Sequence, residues 1–148
     1  MASTYLSLHY HIIFSTKERR AWIAPDWRSR LHEYLGGTVR GLDGVPEAVG
    51  GVADHVHLLV GLRATHTLAD FVRELKKSGT AWVREGGLEP AFTWQEGYAA
   101  FTVSPTARPQ VKSYIANQEE HHRQRSYIEE LKALLEAAEV EYDPRYLE

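Results

Sequence analysis

Residues 6–14, LSLHYHIIF, set Leu6, Leu8, Tyr10, Ile12 and Phe14 in alternation with Ser7, His9 and His11. A period of two belongs to a strand with one buried face, because successive side chains point to opposite sides of a sheet. Three more segments read as strands: VPEAVGGVA (45–53), HVHLLVGL (55–62) and GYAAFTVS (97–104), the first two turning near Ala53-Asp54. Helical stretches separate them. Pro25-Asp26 opens an amphipathic helix over about 26–40, with Trp27, Leu31, Tyr34 and Leu35 along one side and Gly41 to Gly44 ending it. A second helix runs over about 68–85, with Thr67 as N-cap and Asp70 at the third position. After Pro105 and Pro109, QVKSYIANQEEHHRQR (110–125) predicts a third helix, and YIEELKALLEAAEV (127–140) a fourth before the tail EYDPRYLE.

The order β-α-β-β-α-β-α is the split βαβ arrangement of an α+β fold. It implies a ferredoxin-like, RRM-like antiparallel sheet with two helices on one face, to which the C-terminal helices are an addition. One domain is expected over residues 1–148, with a core at about 4–125 and a C-terminal helix and acidic tail at about 126–148. Many unrelated functions share this scaffold, so the side chains must decide among them.

Composition removes several classes of function. No run approaches the ~18 apolar residues that span a bilayer. The opening MASTYLSLHYHIIF lacks a basic n-region and carries histidines where a signal peptide is apolar, so export is not expected. There are no cysteines, which excludes disulfides, thiolate zinc sites and cysteine nucleophiles and suits a reducing cytoplasm. The net charge of -3 is unevenly spread. From Ile128 onward there are seven acidic and two basic residues, leaving fifteen basic and thirteen acidic before it. An acidic tail masks a mildly basic body, which permits a polyanionic partner.

Two short patterns carry chemistry. If Val56, Leu58 and Val60 face the helices, His55 and His57 stand side by side on the other face of the strand. Two neutral imidazoles at that spacing can ligate one divalent metal; an isolated pair equally fits histidines that only hydrogen-bond at the surface. In the third helix, Tyr114 and Gln118 are four apart, ~6 Å along the axis and about 40° around it, and share a face. They offer a nucleophile and an oxygen ligand, or else a core tyrosine and a solvated amide. Of His121 and His122 at most one can join them, since adjacent helical positions diverge by about 100°. Asp54 could orient a ligand histidine or simply make the turn.

Taken together, FSTKERR after the first strand, DHVHLLV, LADFVRELKKSGTAWV, FTWQEGYAAFTVS and YIANQEEHH resemble the single-tyrosine HUH transposases, the small enzymes of insertion sequences and their REP-associated relatives. The likeness covers nearly the whole chain. It implies a nickase and ligase for single-stranded DNA with hairpins at transposon ends. It also implies a nucleophile at Tyr114 and an Mg²⁺ or Mn²⁺ site at His55, His57 and Gln118. Attack leaves a 5′-phosphotyrosine and a free 3′-hydroxyl, and the reverse attack reseals the strand. The resemblance further implies a homodimer in which the tyrosine helix of one subunit completes the other's site. SPTARP (104–109), stiffened by two prolines, fits such a projecting connection as well as an ordinary loop.

Lys17, Arg19 and Arg20 in the loop after the first strand, Arg73, Lys76 and Lys77 on the second helix, and Lys112 before Tyr114 are candidate phosphate contacts, each of which also fits a solvated surface charge. Phe92, Trp94, Tyr98 and Phe101 are expected in the core, with stacking on bases as the alternative. Two other readings stay open at this point. One is a non-catalytic single-strand-binding module on an RRM-like sheet; the other is a metal-dependent phosphodiesterase that uses water and leaves Tyr114 incidental.

Overall fold

The computed structural model describes residues 3–147. Strands β1 (His9–Ser15), β2 (Val45–Gly51), β3 (His55–Gly61) and β4 (Ala99–Thr102) form one sheet in the order β2-β3-β1-β4, every neighbour antiparallel. Helices α1 (Pro25–Gly41) and α2 (Leu68–Glu85) cover one face. Ile12 and Phe14 of β1 and Val56, Leu58 and Val60 of β3 point into that layer and meet Leu31, Leu35, Phe71 and Leu75. Each such side chain contributes about 1.5–3 kcal/mol on full burial, so this layer holds the sheet in register. Tyr34, expected on the buried side of its helix, instead points outward and stacks on Trp82 with ring centroids 5.6 Å apart. Leu31 and Leu35 define the buried stripe, and Tyr34 lies a full helical step away from Leu35.

The opposite face is closed as well. Helices α3 (Arg108–Ala116), α4 (Gln118–His121) and α5 (Tyr127–Ala137) supply the cover. Ile13 of β1 packs with Tyr127, Leu131 and Leu135, and Leu59 of β3 with Ile115 and Val103. The helix expected over 110–125 is therefore two. It breaks at Asn117 (φ −100, ψ 22), a residue whose short amide competes with helical backbone bonding. Strands β1 and β4 are also shorter than the alternating segments predicted. Thr67 is the N-cap of α2 by position but makes no capping bond, and Asp70 pairs with Arg73 at 2.8 Å instead. A reciprocal capping box, Ser126 with Glu129, opens α5.

The turn from β2 to β3 sets up the site. Gly51 has φ 149, and a Cβ there would lie 2.2 Å from the His55 carbonyl oxygen, so only glycine fits. Backbone bonds from Thr16 to Asp54 (2.8 Å) and from Ile23 to Ala53 (3.0 Å) pin the turn, and with it the start of β3. Among the described residues no helix is long and apolar enough to cross a membrane.

Candidate metal centre and nucleophile

Alternation along β3 sends His55 and His57 away from the α1/α2 layer and under α4 and α5, where both are fully buried. Gln118 and Glu130 join them at 1% exposure each. His55 Nε2 lies 3.1 Å from Gln118 Oε1 and 3.3 Å from Glu130 Oε1. His57 Nε2 is 3.1 Å from the same Glu130 oxygen. His122, just after α4, places Nε2 at 2.9 Å from Gln118 Oε1 and 3.1 Å from Glu130 Oε1. One ligand atom from each of His55, His57, His122 and Glu130 can be chosen so that all lie within 4.8 Å of one another, the scale of a single coordination sphere.

The second nitrogens of the strand histidines are committed elsewhere. His55 Nδ1 is 2.7 Å from Asp54 Oδ1, and His57 Nδ1 is 2.8 Å from His11 Nε2. With Nδ1 of each ring spent on such a partner, Nε2 is the nitrogen left for a cation, and ring orientation is fixed from behind. Burial pushes His57 down to about 4 against the opposing hydrogen bond and charge of Glu130, and pushes His11 down to about 3 with the His57 ring adding to it, so both are neutral near pH 7 and His57 is fit to ligate. Burial acts on His55 in the same direction, but its bonds to Asp54 and Glu130 outweigh it and raise the group. Burial alone would raise the Glu130 carboxyl; hydrogen bonds from His122, His55 and His57 hold it far below the usual carboxylate range. A neutral His57 beside a persistent carboxylate, with the ring nitrogens of His55 and His122 and the Gln118 oxygen, forms a mixed nitrogen and oxygen donor set that suits a divalent transition ion.

Tyr114 reaches the same cluster from α3. Its hydroxyl donates to Glu130 Oε2, and its ring lies edge-on to His57 with centroids 5.7 Å apart. Burial first, and the bond to Glu130 next, push the phenol above its ordinary range, so it stands here as a protonated donor. The break at Asn117 does not separate Tyr114 from Gln118, whose Nε2 is 3.4 Å from the Tyr114 carbonyl. His121 Nε2 lies 3.5 Å from the Tyr114 hydroxyl and 3.4 Å from Glu130 Oε2, and it is His122 whose ring nitrogen falls within the group of possible ligands.

A family model described as transposase, IS200-like, matches residues 4–118. The chain belongs to the IS200-like transposase family. Among solved structures, a Deinococcus radiodurans protein assigned to the transposases is 27% identical with a TM-score of 0.65, covering 80% of this chain and 95% of its own. A REP-associated tyrosine transposase bound to a REP hairpin is 14% identical with a TM-score of 0.60, covering 82% of this chain and 73% of its own, a likeness of fold. No curated protein matches the sequence. The IS200-like match stops at Gln118, so His122 and Glu130 lie beyond the matched residues.

Glu130 and His11 are the site residues that the sequence did not single out. The basic residues separate into groups. Lys17, Arg19 and Arg20 are exposed on the turn after β1, where Thr16 Oγ1 is 3.2 Å from the Asp54 carbonyl, next to His55; Glu18 and Arg19 both take φ 56 there. Lys112 is exposed on α3. Arg73 and Lys77 are exposed on α2, across the sheet from the histidines. Lys76 is drawn inward: its ammonium donates to the carbonyls of Gln95 (2.9 Å) and Gly97 (2.6 Å), bracing the segment before β4. Phe92 and Trp94 are core, Phe101 packs under α5, and Tyr98 remains partly exposed.

Proposed function

We propose that this IS200-like transposase is a metal-dependent nickase and ligase for single-stranded DNA that works through a 5′-phosphotyrosine intermediate. The observation that carries the reading is the convergence of the Tyr114 hydroxyl, the paired strand histidines and Gln118 on one enclosed polar cluster. The reading assigns the cation, Mg²⁺ or Mn²⁺, to His55 and His57, with Gln118, Glu130 and His122 available around them. A divalent cation there relieves the repulsion of an anionic phosphate and supports the leaving 3′-oxygen.

The chain's own residues perform the remaining steps. Tyr114 Oη forms a bond to phosphorus as the bond from phosphorus to the 3′-oxygen breaks; the phenolic proton leaves to solvent, since Glu130 is held too acidic to keep it, and solvent returns a proton to the departing oxygen. The 3′-oxygen is thereby released as a hydroxyl. Return of a 3′-hydroxyl to the phosphotyrosine restores the phosphodiester and the phenol, without water or an external energy source. His55 and His57 expose no surface. Admitting a strand therefore requires the cover formed by α4 and α5 to open.

Hairpin-bearing transposon ends are the substrate this reading favours. A hairpin is what the REP-associated tyrosine transposase of similar fold is bound to. Lys17, Arg19, Arg20 and Lys112, exposed on the turn after β1 and on the tyrosine helix, are the proposed phosphate contacts, with Arg73 and Lys77 available to DNA on the far side. In a homodimer, exchange of α3 between two copies would place the partner's tyrosine in the same position. The test is a labelled single-stranded hairpin oligonucleotide incubated with the protein and Mn²⁺, assayed for a covalent protein–DNA adduct. Adduct formation that Tyr114→Phe abolishes supports the reading. Cleavage without adduct would identify a hydrolase, and binding with neither product a non-catalytic module.

A further inference from the structure

The tyrosine helix lies along the edge strand β2, and two contacts fix where it sits. At its first residue, Arg108 pairs with Glu47, a buried carboxylate whose other oxygen is 2.8 Å from His9 Nδ1. Near its end, the carbonyl of Ile115 rests directly on Gly50. A Cβ added there would lie 2.4 Å from that oxygen and 2.9 Å from Ile115 Cγ2. A strand position without a side chain is what lets a helix backbone approach so closely.

The spacings of the two anchors agree. Seven residues of α-helix, from Arg108 to Ile115, rise about 10 Å. Three residues of strand, from Glu47 to Gly50, span about 10 Å. A helix held at one end can still pivot and roll, whereas matched anchors near both ends fix its axial position and its rotation together. Gly50 is also the strand partner of His57, so the second anchor sets Ile115 beside the metal-binding strand, with Tyr114 one residue before it.

We propose that Glu47, Arg108 and Gly50 form a two-point seat that sets the reach of Tyr114 toward His57, for an α3 of the same chain or of a partner copy. The inference rests on the reading of Tyr114 as nucleophile. Neither Glu47 nor Arg108 bonds to the histidine cluster, and Gly50 has no side chain to offer it; the three are positioning residues. The pair uses one guanidinium nitrogen of Arg108, so a lysine ammonium can replace it.

The experiment uses the full chain with 3-fluorotyrosine incorporated and the Tyr114 ¹⁹F signal assigned by its absence in Tyr114→Phe. Arg108→Gln and Gly50→Ala are expected to move the Tyr114 resonance while those of Tyr10 and Tyr34 stay in place. The same variants should slow single-turnover adduct formation with Mn²⁺ by roughly 10- to 100-fold, the scale of a misplaced reacting group. Hairpin affinity should be unchanged, and Arg108→Lys should recover most of the rate. If Gly50→Ala does not fold, the two Arg108 variants decide. An unmoved Tyr114 resonance in Arg108→Gln overturns the proposal. So does a shift of all tyrosine signals together with Arg108→Lys no better than Arg108→Gln, which would mark a contact that serves the fold at large. A wild-type protein that forms no adduct contradicts the nucleophile reading alone; the resonance comparison still decides whether the seat exists.

Discussion

The Tyr114 hydroxyl donates to Oε2 of Glu130, whose Oε1 lies 3.1 Å from Nε2 of both His57 and His122. One carboxylate thus links the proposed nucleophile to the histidines. It can do so because its bonds to three imidazoles keep it ionised despite burial. Glu130→Gln retains the size of the side chain and an acceptor oxygen but removes the charge. Outer partners of a metal site are alone worth about 10–100-fold in affinity, so Mn²⁺ binding measured by calorimetry should weaken at least tenfold. Unchanged affinity in a folded variant would remove Glu130 from the ligand set.

His55→Ala and His57→Ala separate chemistry from binding. Each should abolish adduct formation while leaving hairpin affinity within a fewfold of wild type, because contacts to backbone phosphates supply most of the binding free energy. Parallel loss of adduct, hairpin affinity and thermal cooperativity would make the pair structural instead.

Acid should weaken the fold in a window set by the buried histidines. His11, held at about 3, and His57, at about 4, stay neutral in the native protein while an unfolded histidine protonates near 6.5. Their contribution is complete above pH 6.5 and is lost progressively as pH falls toward those values, because the unfolded chain takes up the extra protons. Glu130, also depressed, adds loss at lower pH, below the ordinary carboxyl value of 4.5. His55 is raised and acts in the opposite sense, its share fading as pH climbs above 6.5. Thermal unfolding in EDTA should therefore show a lower midpoint at pH 5 than at pH 7, and His11→Asn should flatten that difference. Equal midpoints would contradict the neutral state assigned to this pair.

The basic residues should behave differently according to where they sit. Lys17→Ala and Arg19→Ala are each expected to reduce the slope of log affinity against log salt for a hairpin oligonucleotide by about 1. Lys76→Ala should leave that slope unchanged and lower the thermal midpoint, since its ammonium holds the carbonyls of Gln95 and Gly97. A slope that falls equally in all three would place Lys76 on the DNA.

How much of this was legible follows from what each pattern encodes. The period of two in HVHLLVG states which face His55 and His57 share, and four-residue spacing puts Tyr114 near Gln118, so both halves of the site could be read locally. The antiparallel sheet with two helices on one face was expected from the order of elements, and the structure supplies its strand order. His11 was harder to interpret: alternation marks it as opposite the core but cannot say that a later helix encloses that face. Glu130 was invisible for a similar reason. In the run YIEEL, Glu129 and Glu130 look alike, yet Glu129 completes the capping box of α5 while Glu130 faces the sheet. The Ser-x-x-Glu spacing could have marked Glu129 as a cap, but only the docking of Tyr127, Leu131 and Leu135 on Ile13 turns Glu130 to the sheet. The break at Asn117 was missed because residues of middling propensity precede it and good helix formers, Gln118 to Glu120, follow at once, so one more weak residue does not stand out in any local reading.

The most direct measurement is the fate of the phosphate when a 5′-labelled single-stranded hairpin meets the protein and Mn²⁺, read after denaturation by intact mass and by mapping of the modified peptide. The account predicts a DNA fragment joined through its 5′-phosphate to Tyr114, with a free 3′-hydroxyl on the other fragment and no adduct in Tyr114→Phe. Cleaved DNA with protein of unaltered mass, or an adduct that persists in Tyr114→Phe, would contradict it.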